Sequence, residues 1–155
     1  MDLSSISILV PVLRFLDDLL QRVRKPRLVA NVYTTIKPDP HNSSQEMWAL
    51  VFEVINGGEK PIVITDQLIL VEESTFSFGK MYGTVSPVPY NLQPGEIWSV
   101  WMPARQAGEN LLIEKLPANA KMKVRFTDVH RRKYESESCV STIGELAEYP
   151  LWNTD

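Results

Sequence analysis

At 155 residues the chain fits one domain, long enough to bury about 68–70% of its unfolded surface without a disulfide or a metal to hold it. With 44% hydrophobic and 23% charged residues it reads as globular rather than disordered, and a net charge of −3 gives no electrostatic reason to expect nucleic acid as a partner. The single cysteine, Cys139, excludes an internal disulfide and favours a reducing compartment, so the expected location is cytoplasmic.

The first apolar stretch follows Asp2 and precedes the basic cluster Arg22, Arg24, Lys25 and Arg27, the reverse of a secretory signal. Arg14, Asp17 and Asp18 interrupt it, so no spanning helix is expected. Val12, Leu13, Leu16, Leu19, Leu20 and Val23 fall on one helical face, with Arg14, Asp17, Asp18, Gln21, Arg22 and Lys25 on the other. Pro11 suits a first turn and Pro26 ends the pattern, which predicts an N-terminal amphipathic helix within residues 1–26.

After Pro26 the period becomes two. "RLVANVYTTI" predicts a strand with Leu28, Ala30, Val32 and Thr34 on one side and Val29, Tyr33 and Thr35 on the other. "KPDPHNSSQE" is a loop. "MWALVFEVI" sets Trp48, Leu50, Phe52 and Val54 against Ala49, Val51, Glu53 and Ile55, and "PIVITDQLILVEE" is a third strand, bent near Thr65–Gln67. Residues 74–96 read as short extended pieces and turns. "IWSVWM" follows, with Trp98 and Val100 opposite Ile97, Ser99 and Trp101. "AGENLLIEKL" predicts a short helix capped by Asn110. "KMKVRFTD" and "RKYESESCV" are the last strands, turning at "VHR". In "STIGELAEYPLW", Thr142 and Glu145 have capping-box spacing, which predicts one or two helical turns.

The joint inside "FEVINGGEKPIVIT" lies between two alternating runs. A phosphate-cradling loop needs its glycines to open a helix, and none follows here. Asn56, Gly57 and Gly58 are therefore expected to supply positive-φ turn geometry between antiparallel strands and to hold no ligand.

"FEVINGGEKPIVIT", "LQPGEIWSVW" and "KVRFTDVHRRKYESE" resemble the B–C hairpin, the pre-E turn and the F–G hairpin of immunoglobulin-like β-sandwich domains found in bacterial and phage accessory proteins. The resemblance is architectural and implies a fold, not an activity. It implies a mainly β chain: an immunoglobulin-like antiparallel sandwich over residues 27–140, an N-terminal amphipathic helix at 1–26, a short helix between late strands and a C-terminal tail at 141–155. One cysteine sets the chain apart from the antibody branch, which pairs two.

No chemistry-bearing constellation stands out. His41 and His130 sit in loops without ligand partners at metal spacing, and Asp128 is the usual occupant of a hairpin turn. Cys139 ends an alternating strand, half-buried, with no basic neighbour in sequence to lower its pKa. The pairs Asp17–Asp18 and Glu72–Glu73 diverge, being adjacent. Asn42-Ser43-Ser44 matches a glycosylation sequon but has no secretory signal beside it. "HRRK", with Lys121, Lys123 and Arg125, is a solvated hairpin tip or a contact for an acidic partner. No enzymatic activity, metal or cofactor is expected.

Trp101 faces away from Trp98, so it needs cover from the N-terminal helix or from another chain; Trp152 is a plug or a partner anchor. The expected function is a non-catalytic protein–protein interaction module, an accessory or adaptor that binds a protein partner or itself through Val12, Leu13, Leu16, Leu19, Leu20, Val23, Trp101 and Trp152. The alternative is a peripheral membrane adaptor whose helix lies on lipid, with Arg22, Arg24, Lys25 and Arg27 at anionic headgroups.

Overall fold

The computed structural model describes residues 27–77, 80–83 and 87–151. The proposed helix and its stripe, Val12, Leu13, Leu16, Leu19, Leu20 and Val23, lie outside the described residues, as does Trp152.

Eight strands are described: β1 (Leu28–Pro38), β2 (Glu46–Asn56), β3 (Ile62–Val71), β4 (Ser74–Phe76), β5 (Tyr90–Leu92), β6 (Ile97–Pro103), β7 (Met122–Asp128) and β8 (Lys133–Glu135). Two helices accompany them, α1 (Ala104–Ile113) and α2 (Ile143–Glu148). The strands form two antiparallel sheets, one ordered β1-β2-β6 and the other β4-β3-β7-β8, with β5 also paired to β3. Inward residues of both meet in one core: Ala30, Val32, Leu50, Phe52, Val54 and Trp98 from the first, Ile64, Ile69, Val124 and Phe126 from the second. Trp98 meets Phe126 edge to face at 5.7 Å between the sheets.

The period-two reading holds in β1 as far as Tyr33, with Ala30 and Val32 buried and Val29 and Tyr33 exposed, and fades beyond it, where Thr34 and Thr35 are alike half-buried and Ile36 is exposed. In β2 the four residues Ala49–Phe52 are all buried, because a central strand has neighbours on both sides and large side chains flank its outer face. The bend expected in β3 is a bulge. Ile64 pairs with Asp128 and Asp66 with Thr127, leaving Thr65 extra, and its hydroxyl donates to the Thr127 carbonyl.

Three expectations are corrected. The helix is not capped by Asn110: α1 starts at Ala104 and Asn110 lies inside it. Pro103 ends β6 and is itself the N-cap, with φ −54° and ψ 129°, so the helix begins at Ala104 as soon as the strand stops. It closes in a Schellman turn, with Lys115 N–H bonded to Leu112 O and Leu116 N–H to Leu111 O; Lys115, at φ 61, holds the position glycine usually fills.

The "NGGEKP" joint is not a hairpin, since β2 and β3 belong to different sheets. Nor do its glycines have positive φ; among the described glycines only Gly95 does, at 76°. The joint is held by Asn56, fully buried, whose amide donates to Lys60 O at 2.8 Å and Leu92 O at 3.0 Å and whose Oδ1 accepts from Gly58 N–H. Its backbone bonds Glu96 O and Gly95 N–H, so one residue pins the crossover to β5 and to the turn before β6.

The last strand is shorter than expected. Ser136 interrupts the ladder after Glu135: its hydroxyl, instead of a backbone carbonyl, accepts from Val124 N–H. Beyond it Cys139 N–H bonds Met122 O, and Cys139 is buried rather than half-buried.

The capping box is present in full: Thr142 Oγ1 accepts from Glu145 N–H, and the Glu145 carboxylate accepts from Thr142 N–H. α2 adds Ile143 and Leu146 to the core, and Tyr149 stacks on Trp48 at 5.1 Å. α1 and α2 cross at Gly108, where a Cβ would collide with the backbone of Ala147.

Candidate functional site: the outer face of the three-stranded sheet

Pairing register arranges the outward residues of β1, β2 and β6 in rows. Val29, Ile55 and Ile97 form one, Asn31, Glu53 and Ser99 the next, and Tyr33, Val51 and Trp101 the third. Val29, Tyr33 and Ile97 are 45%, 39% and 51% exposed, so two apolar rows border solvent. The charge in the middle row is already engaged: Glu53 accepts from Asn31 Nδ2 through one oxygen and from Tyr33 OH through the other, each at 3.1 Å. Partial burial, then the charge and hydrogen bond of Glu53, hold the Tyr33 phenol above its ordinary pKa.

Trp101 is half-buried. Tyr82 bridges it through two backbone hydrogen bonds, 2.7 and 2.8 Å, and stacks on it at 4.9 Å in a tilted arrangement. Lys80 Nζ lies 5.5 Å from the Tyr82 ring centre and His41 Nε2 is 3.4 Å from its hydroxyl. A strand-edge residue of the same chain thus supplies part of the cover that Trp101 needs. Beside Tyr82 lies a cleft of about 410 Å³ lined by Met81, Tyr82, Val88, Trp98 and Val100 among others.

The remaining sequence candidates are structural. Asp128 is buried and accepts from His130 N–H at 2.8 Å, Arg132 N–H at 2.9 Å and Tyr134 OH at 3.1 Å, so it builds the turn. Asp39 does the same for His41 N–H, and Asn42 Oδ1 accepts from Ser44. The Asp39 turn was not read from sequence, although Asp two residues before a polar loop position is its signal. Burial pushes the Cys139 thiol above its ordinary pKa. Among the described residues no three His, Cys, Asp or Glu side chains group as a metal set, and no helix is long and apolar enough to cross a membrane.

Lys121, Lys123 and Arg125 line a groove of about 460 Å³ on the other sheet, facing Glu72, Glu73 and Glu135. Arg125 pairs with Glu135 at 2.6 Å, so one cation of this stripe is already engaged within the chain.

The chain matches no protein-family model and no curated protein.

Proposed function

We propose that the chain is a non-catalytic protein–protein interaction module, an accessory or adaptor protein with an immunoglobulin-like sandwich as its body. The strand orders β1-β2-β6 and β4-β3-β7-β8, the crossover at Asn56 and the β7–β8 hairpin support the sandwich reading. The observation that carries the functional reading is the outer face of the three-stranded sheet. Val29, Tyr33, Ile97 and Trp101 border solvent there around a carboxylate that neighbours already satisfy.

The stripe Val12, Leu13, Leu16, Leu19, Leu20 and Val23 is the second docking element, and Trp152 a further anchor. Burying a Leu or Val side chain is worth about 1.5–3 kcal/mol, so six of them on one face demand cover. Leu16→Asp with Leu20→Asp is expected to abolish partner binding or assembly of the full chain, with β-rich circular dichroism unchanged. Flotation of the wild type with anionic vesicles, lost in the same variant, would move the site to lipid. A folded double variant that assembles like wild type overturns the stripe as the functional element.

A further inference from the structure

Among the described residues, the three-stranded sheet ends in a strand paired on one side only. β1 runs 11 residues, and among the described residues its backbone partners all lie on β2 or, at Arg27, on Gly57. The direction of each backbone group follows from alternation. Trp101 exchanges both its hydrogen bonds with Tyr82, so its groups point away from β2, and its pairing with Val51 is of the non-bonded kind. Val51 therefore bonds across to Tyr33. The bond from Gly57 N–H to Arg27 O at 2.7 Å falls on the same odd-numbered set. The N–H and C=O groups of Leu28, Ala30, Val32, Thr34 and Ile36 consequently point away from β2, and no described residue bonds them.

Edge strands are normally guarded by charge, proline, bulges or brevity. The other sheet follows that practice: β4 and β8 are three residues each, and β8 carries Lys133 and Glu135. The far edge of β6 is met by Tyr82. From Leu28 to Ile36, β1 has no charged residue, no proline and an unbroken register; the first guards are Lys37 and Pro38. β7 and β8 of the other sheet come close to β1 without bonding to it.

We propose that β1 pairs antiparallel with β1 of a second copy of this chain about a two-fold axis, joining two three-stranded sheets into one of six. The occupant is a second copy because antiparallel pairing of a segment with itself is self-complementary: lengths match, and each contact occurs twice. The outer apolar rows also become continuous across the join, with Val29 and Tyr33 beside it. This inference stands on backbone geometry and does not depend on the stripe at Val12–Val23.

The test is sedimentation of the full chain with two edge variants. Thr34→Pro removes an outward N–H and none of the chain's own ladder bonds. Val29→Lys with Thr35→Lys leaves the backbone intact and crowds like charges across the join. Wild type is expected at twice the chain mass, and both variants as monomers with wild-type circular dichroism. If Thr34→Pro does not fold, the lysine variant decides. A monomeric wild type, or folded variants that remain dimers, overturns the proposal. Leu16→Asp with Leu20→Asp in the same series tests the stripe separately: dissociation there, with folded Thr34→Pro still dimeric, overturns the edge and leaves the stripe standing.

Discussion

The two sheets share a core but turn different chemistry outward. On β7 the alternation sets Met122, Val124 and Phe126 inside and Lys123 and Arg125 outside, the ordinary dress of a sheet facing water. On β1 and β6 the inward residues are as apolar, yet Val29, Tyr33, Ile97 and Trp101 occupy the outside. Period two decides which side a residue takes, and residue type decides what that side meets. The core gains little from Val29 or Ile97, and on the proposed reading a binding partner covers what they leave exposed.

That contrast can be broken first at the joint, which belongs to neither outer face. Asn56→Ala removes three side-chain hydrogen bonds, a buried one to Leu92 before the turn into β6 and two partly buried ones to Lys60 and Gly58 within the crossover. Urea unfolding is expected to show a loss of about 3 kcal/mol, the cost of stranding the buried groups Asn56 serves. A loss below about 1 kcal/mol would mean that the sheets are held together without it.

Two tyrosines, one on each sheet, sharpen the contrast by sharing a chemistry. Tyr134 donates to Asp128 as Tyr33 does to Glu53, and burial followed by the carboxylate raises both phenol pKa values. The folded state therefore holds these protons more tightly than the unfolded chain. Their contribution is complete below the unfolded tyrosine value of about 10 and is lost as pH rises through the higher folded values. Urea midpoints are expected to fall across that alkaline window, and Tyr134→Phe and Tyr33→Phe each to flatten the fall. An equally steep decline in both variants would refute the assignment.

The smallest effect on stability is expected where the largest effect on association lies. Val29→Ser with Ile97→Ser should lower unfolding free energy by only about 1–2 kcal/mol for the pair, since both side chains are about half exposed. Association measured by sedimentation should weaken. A large stability loss would place these residues in the core's service instead.

Local signals in the sequence were legible. The capping box needed only Thr142 and Glu145, and the bend near Thr65 only a run too long for one straight alternation. Turn aspartates were half legible, since Asp128 was read as a turn former and Asp39 was not. Long-range signals were lost. The partners of Asn56 at Leu92, Gly95 and Glu96 are distant in sequence, so a crossover between sheets looked like a hairpin with positive-φ glycines. The start of α1 depended on where β6 stopped, and its end used Lys115 where glycine would have been the signal. Of the expected partner-binding residues only Trp101 lies among the described ones, and its neighbour Tyr82, joined through an isolated bridge, had no signature in the sequence.

Hydroxyl-radical footprinting of the full chain compares the two outer faces most directly. Labelling of Tyr33, Ile97 and Trp101 is expected to rise on dilution or in Leu16→Asp with Leu20→Asp, while Leu68, on the outer face of the other sheet, labels constantly. Labelling of Tyr33, Ile97 and Trp101 that stays unchanged under both treatments would contradict the claim that the three-stranded sheet is the face through which this protein binds.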